Sequence, residues 1–379
     1  MKIIVLGAGL VGGPMALDLA ADEDFVVTVV DKNKSALEKL REKADIKAGT
    51  ADLSNPETVT NLVKDFDLVV NSVPGFMGFN TLKAVIEARR DVVDIAFFPE
   101  DPFKLHDLAV NKKVTAIVDC GVAPGMSNVL ISYAAEQMEY VYKVRIFVGG
   151  LPEIRRKPFE YKAVFSPVDV LQEYTRPARL IRNGRIFTIP ALTEVEELYF
   201  PQIGTLEAFN SDGLRTLLKT IKAADMAEKT MRYPGHAKLM EAFRDTGFFS
   251  DKEVQLDKNT KLRPVDLTAK LFIKDWRMAE GEVDFTVMKI IVEGRKQTKS
   301  TRFTFDLFDR RDEKTGIMSM ARTTGYTATA AVRLLANGLY KEKGISPPEY
   351  IGKRKDNVDF MLRLLRERGV VYDIKEENF

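Results

Sequence analysis

Residues 1–31 read MKIIVLGAGLVGGPMALDLAADEDFVVTVVD. Ile3–Leu6 is an apolar run of strand length that leads straight into Gly7-Ala8-Gly9-Leu10-Val11-Gly12, and Gly12–Ala21 has helical periodicity. A second apolar run, Val26–Val30, ends in Asp31, about 20 residues beyond the glycines. A G-x-G-x-x-G set between strand and helix, followed by a strand ending in a carboxylate, predicts a dinucleotide-binding βαβ unit. Gly7 permits the tight turn, Gly9 admits a pyrophosphate beside the backbone, and Gly12 lets helix and strand pack closely. The helix start, with Leu10 and Val11 leading into it, offers unpaired N–H groups and a positive dipole end to phosphate. Asp31 is placed to accept the adenosine ribose hydroxyls and would repel a 2′-phosphate, so the expected cofactor is NAD rather than NADP. Lys32 and Lys34 lie beside it.

The same alternation continues outward. Leu68–Asn71, Val92–Ile95 and Val114–Val118 are β-branched runs without polar alternation, as expected for strands covered on both faces. Lys34–Glu42, Pro56–Val63, Phe79–Arg89 and Phe103–Lys112 have helical spacing, with Asn55-Pro56 reading as an N-cap and a first-turn proline. This predicts a Rossmann-type α/β domain, a doubly wound parallel sheet, over residues 1–120. Ligands then sit at the carboxyl ends of the strands. Asp52, after a third strand, and Ser72-Val73-Pro74, after the fourth, are the expected further cofactor contacts.

Past Gly121 the pattern changes. Tyr142–Val148, Tyr161–Phe165, Thr268–Trp276, Glu282–Val292 and Lys299–Asp306 read as strands, joined by turns such as Ala279-Glu280-Gly281, with helices expected at Ser211–Ala227 and Ala237–Arg244. Residues 121–322 are therefore read as an α+β domain on a largely antiparallel sheet, serving substrate binding and oligomerisation. From Thr323 a helix of small residues is expected to return to the first domain and bring Thr323 to the cofactor. Asp356–Arg368 reads as the last amphipathic helix of a C-terminal segment, residues 323–379.

Composition narrows the classes. A net charge of +2 offers no basic field for nucleic acid. One cysteine, Cys120, and two histidines, His106 and His236, exclude a disulfide framework and a Cys/His-rich zinc site. No apolar run approaches a membrane span of roughly 20 residues. Nothing near Ile3–Leu6 reads as a signal peptide, so a cytoplasmic protein and no membrane partner are expected.

Asp119-Cys120-Gly121-Val122-Ala123-Pro124-Gly125-Met126-Ser127-Asn128 carries a further signature. With Gly149-Gly150-Leu151-Pro152, Tyr161-Lys162, Phe165-Ser166-Pro167 and Arg232-Tyr233-Pro234-Gly235-His236, it resembles the saccharopine dehydrogenase family. The resemblance implies oxidation or reduction at a carbon bearing an amine in an amino-acid substrate. The segment Asp94-Ile95-Ala96-Phe97-Phe98 and the chain length look most like the family's lysine 6-dehydrogenases. These oxidise the ε-carbon of lysine to the 2-aminoadipate semialdehyde, which cyclises. Saccharopine and carboxynorspermidine-type amines are the alternatives, and a non-catalytic NAD-binding sensor is the competing class. A homodimer is expected.

Such chemistry needs a proton acceptor and a grip on the amino-acid end of the substrate. Arg232 is the first choice for the carboxylate, since a guanidinium forks onto two oxygens, and Lys162 is the second. His236 is read as proton acceptor, as orienting donor or as a structural residue at a helix start. Asp94, at a strand end, either serves as base or ammonium partner or accepts backbone N–H groups. Phe97 either packs on substrate or nicotinamide or joins the core. Asp212 either holds an amine or caps a helix. No metal or covalent nucleophile is called for.

Overall fold

The computed structural model describes residues 1–163, 167–279 and 281–379. The Phe165-Ser166 pair, the end of the expected Tyr161–Phe165 strand and Glu280 of the expected turn lie outside them. The chain forms two compact units, Met1–Glu136 with Ala321–Tyr372, and Gln137–Met320 with Asp373–Phe379.

In the first unit six strands follow in chain order: β1 Lys2–Leu6, β2 Val26–Asp31, β3 Lys47–Thr50, β4 Leu68–Asn71, β5 Asp91–Asp94 and β6 Thr115–Ile117. With Gly344–Ser346 beyond β6, they form a seven-stranded parallel sheet. From the Gly344–Ser346 edge the order is β6, β5, β4, β1, β2, β3. Ile3 to Leu6 and Leu68 to Val70 are buried throughout, the signature of strands covered on both faces. Asn55 Oδ1 accepts from Glu57 N at 2.9 Å and Pro56 occupies the first turn, so the helix Pro56–Val63 begins where cap and proline place it. The helix expected from Phe79 starts earlier, at Gly75, immediately after Pro74.

The first compact unit runs on to Glu136. The helix Met126–Ala135 packs on Pro348–Gly352 so closely that a Cβ on Gly352 would stand 2.3 Å from Val129 O. The helix expected from Thr323 spans Ser319–Ala336. Within the first unit its Thr329 Oγ1 and Arg333 Nη1 meet Asp18 Oδ2 at 2.5 and 2.7 Å, while Arg368 Nε meets Asp18 Oδ1 at 2.6 Å. Asp18 and Arg333 are nearly inaccessible, so removing one charge strands the others. Asp18→Ala is expected to cost about 3–5 kcal/mol, read as a fall in the denaturation midpoint of the first unit.

The second unit is built on a nine-stranded sheet. Its centre is Tyr140–Pro152, paired in parallel with Ala223–Arg232 and antiparallel with Asp284–Lys296, which pairs antiparallel with Lys299–Arg310. Gly204–Asn210 and Glu196–Phe200 extend one side, and Tyr372–Asn378 lies beside Lys299–Arg310. The hairpin Ala178–Arg182/Arg185–Ile189 joins at Met226.

Two expectations are corrected here. Thr268–Trp276 is the end of a helix, Pro264–Trp276, whose buried residues Thr268, Phe272 and Trp276 recur every fourth position. Ser211–Ala227 is helical only at Leu217–Thr220, and the strand Ala223–Arg232 takes its second part. Among the described residues no helix is long and apolar enough to cross a membrane.

Candidate functional site

The strand order reverses between β1 and β4, and both carboxyl ends there carry loops the sequence singled out. Gly7 has φ +105°, and a Cβ on it would lie 2.9 Å from Ser72 O. A Cβ on Gly12 would stand 2.2 Å from Gly7 O and 2.4 Å from Ser72 Oγ. Ser72 Oγ donates to Leu6 O at 2.9 Å and Gly7 O at 3.1 Å, tying the β4 loop to the glycine turn. Gly9 differs from its neighbours: a Cβ there would meet nothing within 4 Å. The turn is thus closed on its protein side by Gly7 and Gly12 and open at Gly9. That is the form of a pyrophosphate cradle ahead of the helix Gly12–Ala20.

Asp31 Oδ2 accepts from Ala8 N at 2.7 Å and Oδ1 from Asn33 N at 2.8 Å. It braces the glycine turn, and each oxygen keeps a lone pair for a ribose hydroxyl. Asp52 is exposed, and its carboxyl is held below the usual range chiefly by the hydrogen bond from Ser54 N, with Lys32 contributing. Lys32 and Asp52 are therefore neighbours at the ends of β2 and β3. Val73 is buried and Pro74 exposed as the residue before the helix Gly75–Glu87. Leu10 is exposed, as is Phe76 at 74%. Phe76 escaped the sequence reading, although its place just past β4 was a signal.

Three further first-unit candidates, Thr323, Asp94 and Phe97, are placed as follows. Thr323 is fully buried in the helix Ser319–Ala336. That helix comes close to the glycine turn because a Cβ on Gly325 would lie 3.0 Å from Met15 Cγ and 3.5 Å from Val11 Cγ1. Asp94 is fully buried, accepting from Ala96 N at 2.7 Å and Asn71 Nδ2 at 2.9 Å. It knits the ends of β4 and β5. Phe97 is half-buried beside the packed Phe98. Burial pushes the Cys120 thiol well above its usual range, leaving it inert.

In the second unit, one face of Ala223–Arg232 carries Glu228, Thr230 and Arg232. Arg232 is buried, with Nη1 on Met231 O at 2.9 Å and Nη2 on Glu173 Oε2 at 2.5 Å. Its guanidinium lies 4.4 Å over the Tyr161 ring. Among the described residues Arg232 Nε, Tyr161 Oη and Trp276 Nε1 are buried without hydrogen-bond partners, and the Tyr161 and Trp276 rings meet edge-on at 5.1 Å. His236 stands in the same cluster, its Nδ1 2.9 Å from Phe159 O and its Nε2 2.9 Å from Tyr174 Oη. Since a carbonyl only accepts, Nδ1 carries the proton and Nε2 accepts from the tyrosine.

Burial, then the Arg232 charge, pushes the His236 imidazolium down to about 3. Both ring nitrogens of His236 are thus engaged, by Phe159 O and by the Tyr174 hydroxyl. Glu207 holds the start of its helix, its carboxylate accepting from Gly235 N at 2.8 Å and Ala237 N at 2.5 Å.

Lys162 and Asp212 are engaged elsewhere. Lys162 Nζ donates to Asp275 O and Arg277 O at 2.7 and 3.2 Å, closing the end of the helix Pro264–Trp276. Asp212 is clamped by Arg179, whose Nε and Nη2 reach its two oxygens at 2.8 and 2.9 Å. Glu228 went unnoticed in the sequence. It is buried, its Oε2 accepting from Ser211 Oγ at 2.6 Å and Gly213 N at 3.1 Å, and burial pushes its carboxyl up to about 8. Among the described residues no group of three or more His, Cys, Asp or Glu is placed to hold a metal.

Residues 3–117 match the model of the saccharopine dehydrogenase NADP binding domain, and residues 121–370 that of the saccharopine dehydrogenase C-terminal domain. Mitochondrial alpha-aminoadipic semialdehyde synthase of Mus musculus is 27% identical over 264 residues, covering 66% of this chain and 28% of that protein. The chain therefore spans little more than a quarter of that relative. Carboxynorspermidine synthase of Vibrio cholerae is 24% identical, covering 99% of this chain and 97% of that one. The structure of apo saccharopine dehydrogenase (L-Glu forming) from Saccharomyces cerevisiae shares the fold, with TM-score 0.80 and 19% identity over 100% of this chain and 99% of that one. With both family models matched in order along a doubly wound sheet and a mixed second sheet, this chain belongs to the saccharopine dehydrogenase family and carries that family's nicotinamide-dinucleotide-binding domain.

Proposed function

We propose that the protein is an NAD-dependent dehydrogenase that oxidises the ε-carbon of L-lysine. The open space at Gly9, walled by Gly7, Gly12 and Ser72, carries the cofactor half of this reading. The loop and helix N–H groups hold the pyrophosphate, and Asp31 orients the adenosine ribose while disfavouring a 2′-phosphate. Bound NAD supplies the hydride acceptor. The substrate loses hydride from C6 and a proton from nitrogen, giving an imine. Water adds, ammonia leaves, and the resulting 2-aminoadipate 6-semialdehyde cyclises. Arg232 supports an amino-acid substrate, because a buried guanidinium with an unused donor suits a carboxylate.

The full-length likeness to carboxynorspermidine synthase favours a second reading, a secondary amine joining an amino acid to a polyamine. Mixing protein, NAD and L-lysine at alkaline pH and following reduced nicotinamide by absorbance separates the two. Reduction with lysine supports the first reading, and reduction only with carboxynorspermidine supports the second. Binding of NAD with no amine oxidised leaves a sensor. Wild-type protein is expected to bind NAD more tightly than NADP. Asp31→Ala is expected to weaken NAD by roughly tenfold or more, the loss of a charge-assisted pair, leaving NADP little changed. Equal losses for both nucleotides in calorimetry would show that Asp31 only braces the turn.

A further inference from the structure

A dinucleotide lies across the crevice of a doubly wound sheet where the strand order reverses. Asp31, ending β2, suits the adenosine ribose, and the open Gly9, after β1, suits the pyrophosphate. The nicotinamide half then falls on the far side of β1, above the carboxyl end of β4. The chain leaves β4 there as Ser72-Val73-Pro74-Gly75-Phe76, and Phe76 lies in the first turn of the helix Gly75–Glu87. Ser72 Oγ donates to Leu6 O and Gly7 O, which keeps this loop beside the glycine turn.

Phe76 stands outside the core that its neighbours build. Gly75, Gly78 and Leu82 are buried, and Phe79 meets the Phe98 ring edge-on at 5.7 Å. A Cβ on Gly78 would stand 2.7 Å from Ala96 Cβ and from Phe98 Cδ1, so the first turn is pressed onto the loop after β5 and fixed in place. The outward row of the helix is Phe76, Asn80, Lys83 and Glu87, all exposed. Three of these suit water. The one apolar member, 74% exposed, heads the row beside the cofactor loops. Helical Cα–Cβ bonds tilt toward the N-terminus, so a first-turn side chain extends past the helix start, and this start lies at the carboxyl edge of the sheet.

We infer that Phe76 is a wall of the nicotinamide subsite, its ring stacking on the nicotinamide ring of bound NAD. That ring is planar, aromatic and positively charged in NAD, and the face of a phenyl ring attracts such a cation. The contact holds the nicotinamide in place over the end of β4. It rests on the NAD reading above and is the same whichever amine is oxidised. The adenosine and pyrophosphate ends are held without it, by Asp31 and the glycine turn.

Calorimetric titration of the full chain with NAD and with ADP-ribose, which lacks only the nicotinamide, tests this in wild type, Phe76→Ala and Phe76→Tyr. Phe76→Ala is expected to weaken NAD by about three- to tenfold and to leave ADP-ribose unchanged, whereas Phe76→Tyr keeps the affinity for both. Because the side chain is exposed, the melting temperature of each variant without nucleotide is expected to match wild type. Equal losses for NAD and ADP-ribose overturn the assignment, since the ring then only shapes the loop. Undiminished NAD affinity in Phe76→Ala overturns it as well, while leaving the cofactor site at Gly9 intact. Failure of wild type to bind either nucleotide removes the cofactor site first, and this inference with it.

Discussion

Gly12→Ala is expected to lose measurable NAD binding and to lower the melting temperature of the first unit, while Gly9→Ala loses NAD affinity at an unchanged melting temperature. The two glycines stand three positions apart in one turn and face opposite environments. A methyl on Gly12 would meet Gly7 O at 2.2 Å and Ser72 Oγ at 2.4 Å. The Ser72 hydroxyl is itself held by Leu6 O and Gly7 O, so it has no free direction of retreat. Relief requires the helix Gly12–Ala20 to move off β1, which breaks the turn.

Overpacking of this kind costs roughly 1–3 kcal/mol, or roughly 2–12 °C for a unit of this size. A methyl on Gly9 meets nothing within 4 Å, so the apo fold accepts it. The space it fills is where a pyrophosphate oxygen must approach the backbone, and a loss of about 100-fold, about 2.7 kcal/mol, is expected. Calorimetric titration with NAD and a thermal melt of each variant decide the matter. Wild-type affinity in Gly9→Ala would place the dinucleotide elsewhere.

The sequence was legible where burial on both faces left only apolar residues. Leu68–Asn71 and Pro56–Val63 fall where the patterns placed them, because an uninterrupted β-branched run and an Asn-Pro cap admit few other conformations. Ala223–Arg232 was hidden because its inward face holds Glu228, Thr230 and Arg232, so polarity gave no alternation to read. Thr268–Trp276 was misread because Leu271-Phe272-Ile273 is a continuous apolar run, which suits strand or helix equally.

The candidate site divides in the same way. The glycine turn and Asp31 act through their own backbone and near neighbours, and were readable. Arg232 and His236 were located by motif, but their roles depend on Glu173, Tyr174 and Phe159, which only the fold brings to them. Asp94 was placed at the correct strand end, while its partners Asn71 and Ala96 are seen only in the fold. Lys162 and Asp212 were candidates by residue type, and their contacts with the end of the helix Pro264–Trp276 and with Arg179 are seen only in the fold.

Glu228→Gln is expected to stabilise the second unit at alkaline pH and to flatten its stability between about pH 6.5 and 8. Burial raises the Glu228 carboxyl from 4.5 to about 8; the Ser211 and Gly213 hydrogen bonds oppose this and the Glu173 charge adds to it. The folded state therefore holds the proton more tightly than the unfolded chain. The stabilisation is complete below the unfolded value near 4.5 and is lost as pH rises through 8, at up to about 1.4 kcal/mol per pH unit. The total over that window is several kcal/mol in order of magnitude.

His236 has the opposite sign. Lowered to about 3 by burial and Arg232, it contributes fully above 6.5 and loses its contribution as pH falls toward 3. Wild type should thus be most stable near pH 5–6, and only the alkaline limb should respond to Glu228→Gln, since the amide can still accept from Ser211 and Gly213 without titrating. Trp276, the single tryptophan, is fully buried in this unit, so its fluorescence follows the relevant unfolding in urea at pH 5, 7 and 9. Parallel pH slopes for the two proteins would mean that Glu228 is ionised in the folded state, held by Ser211 and Gly213 despite its burial.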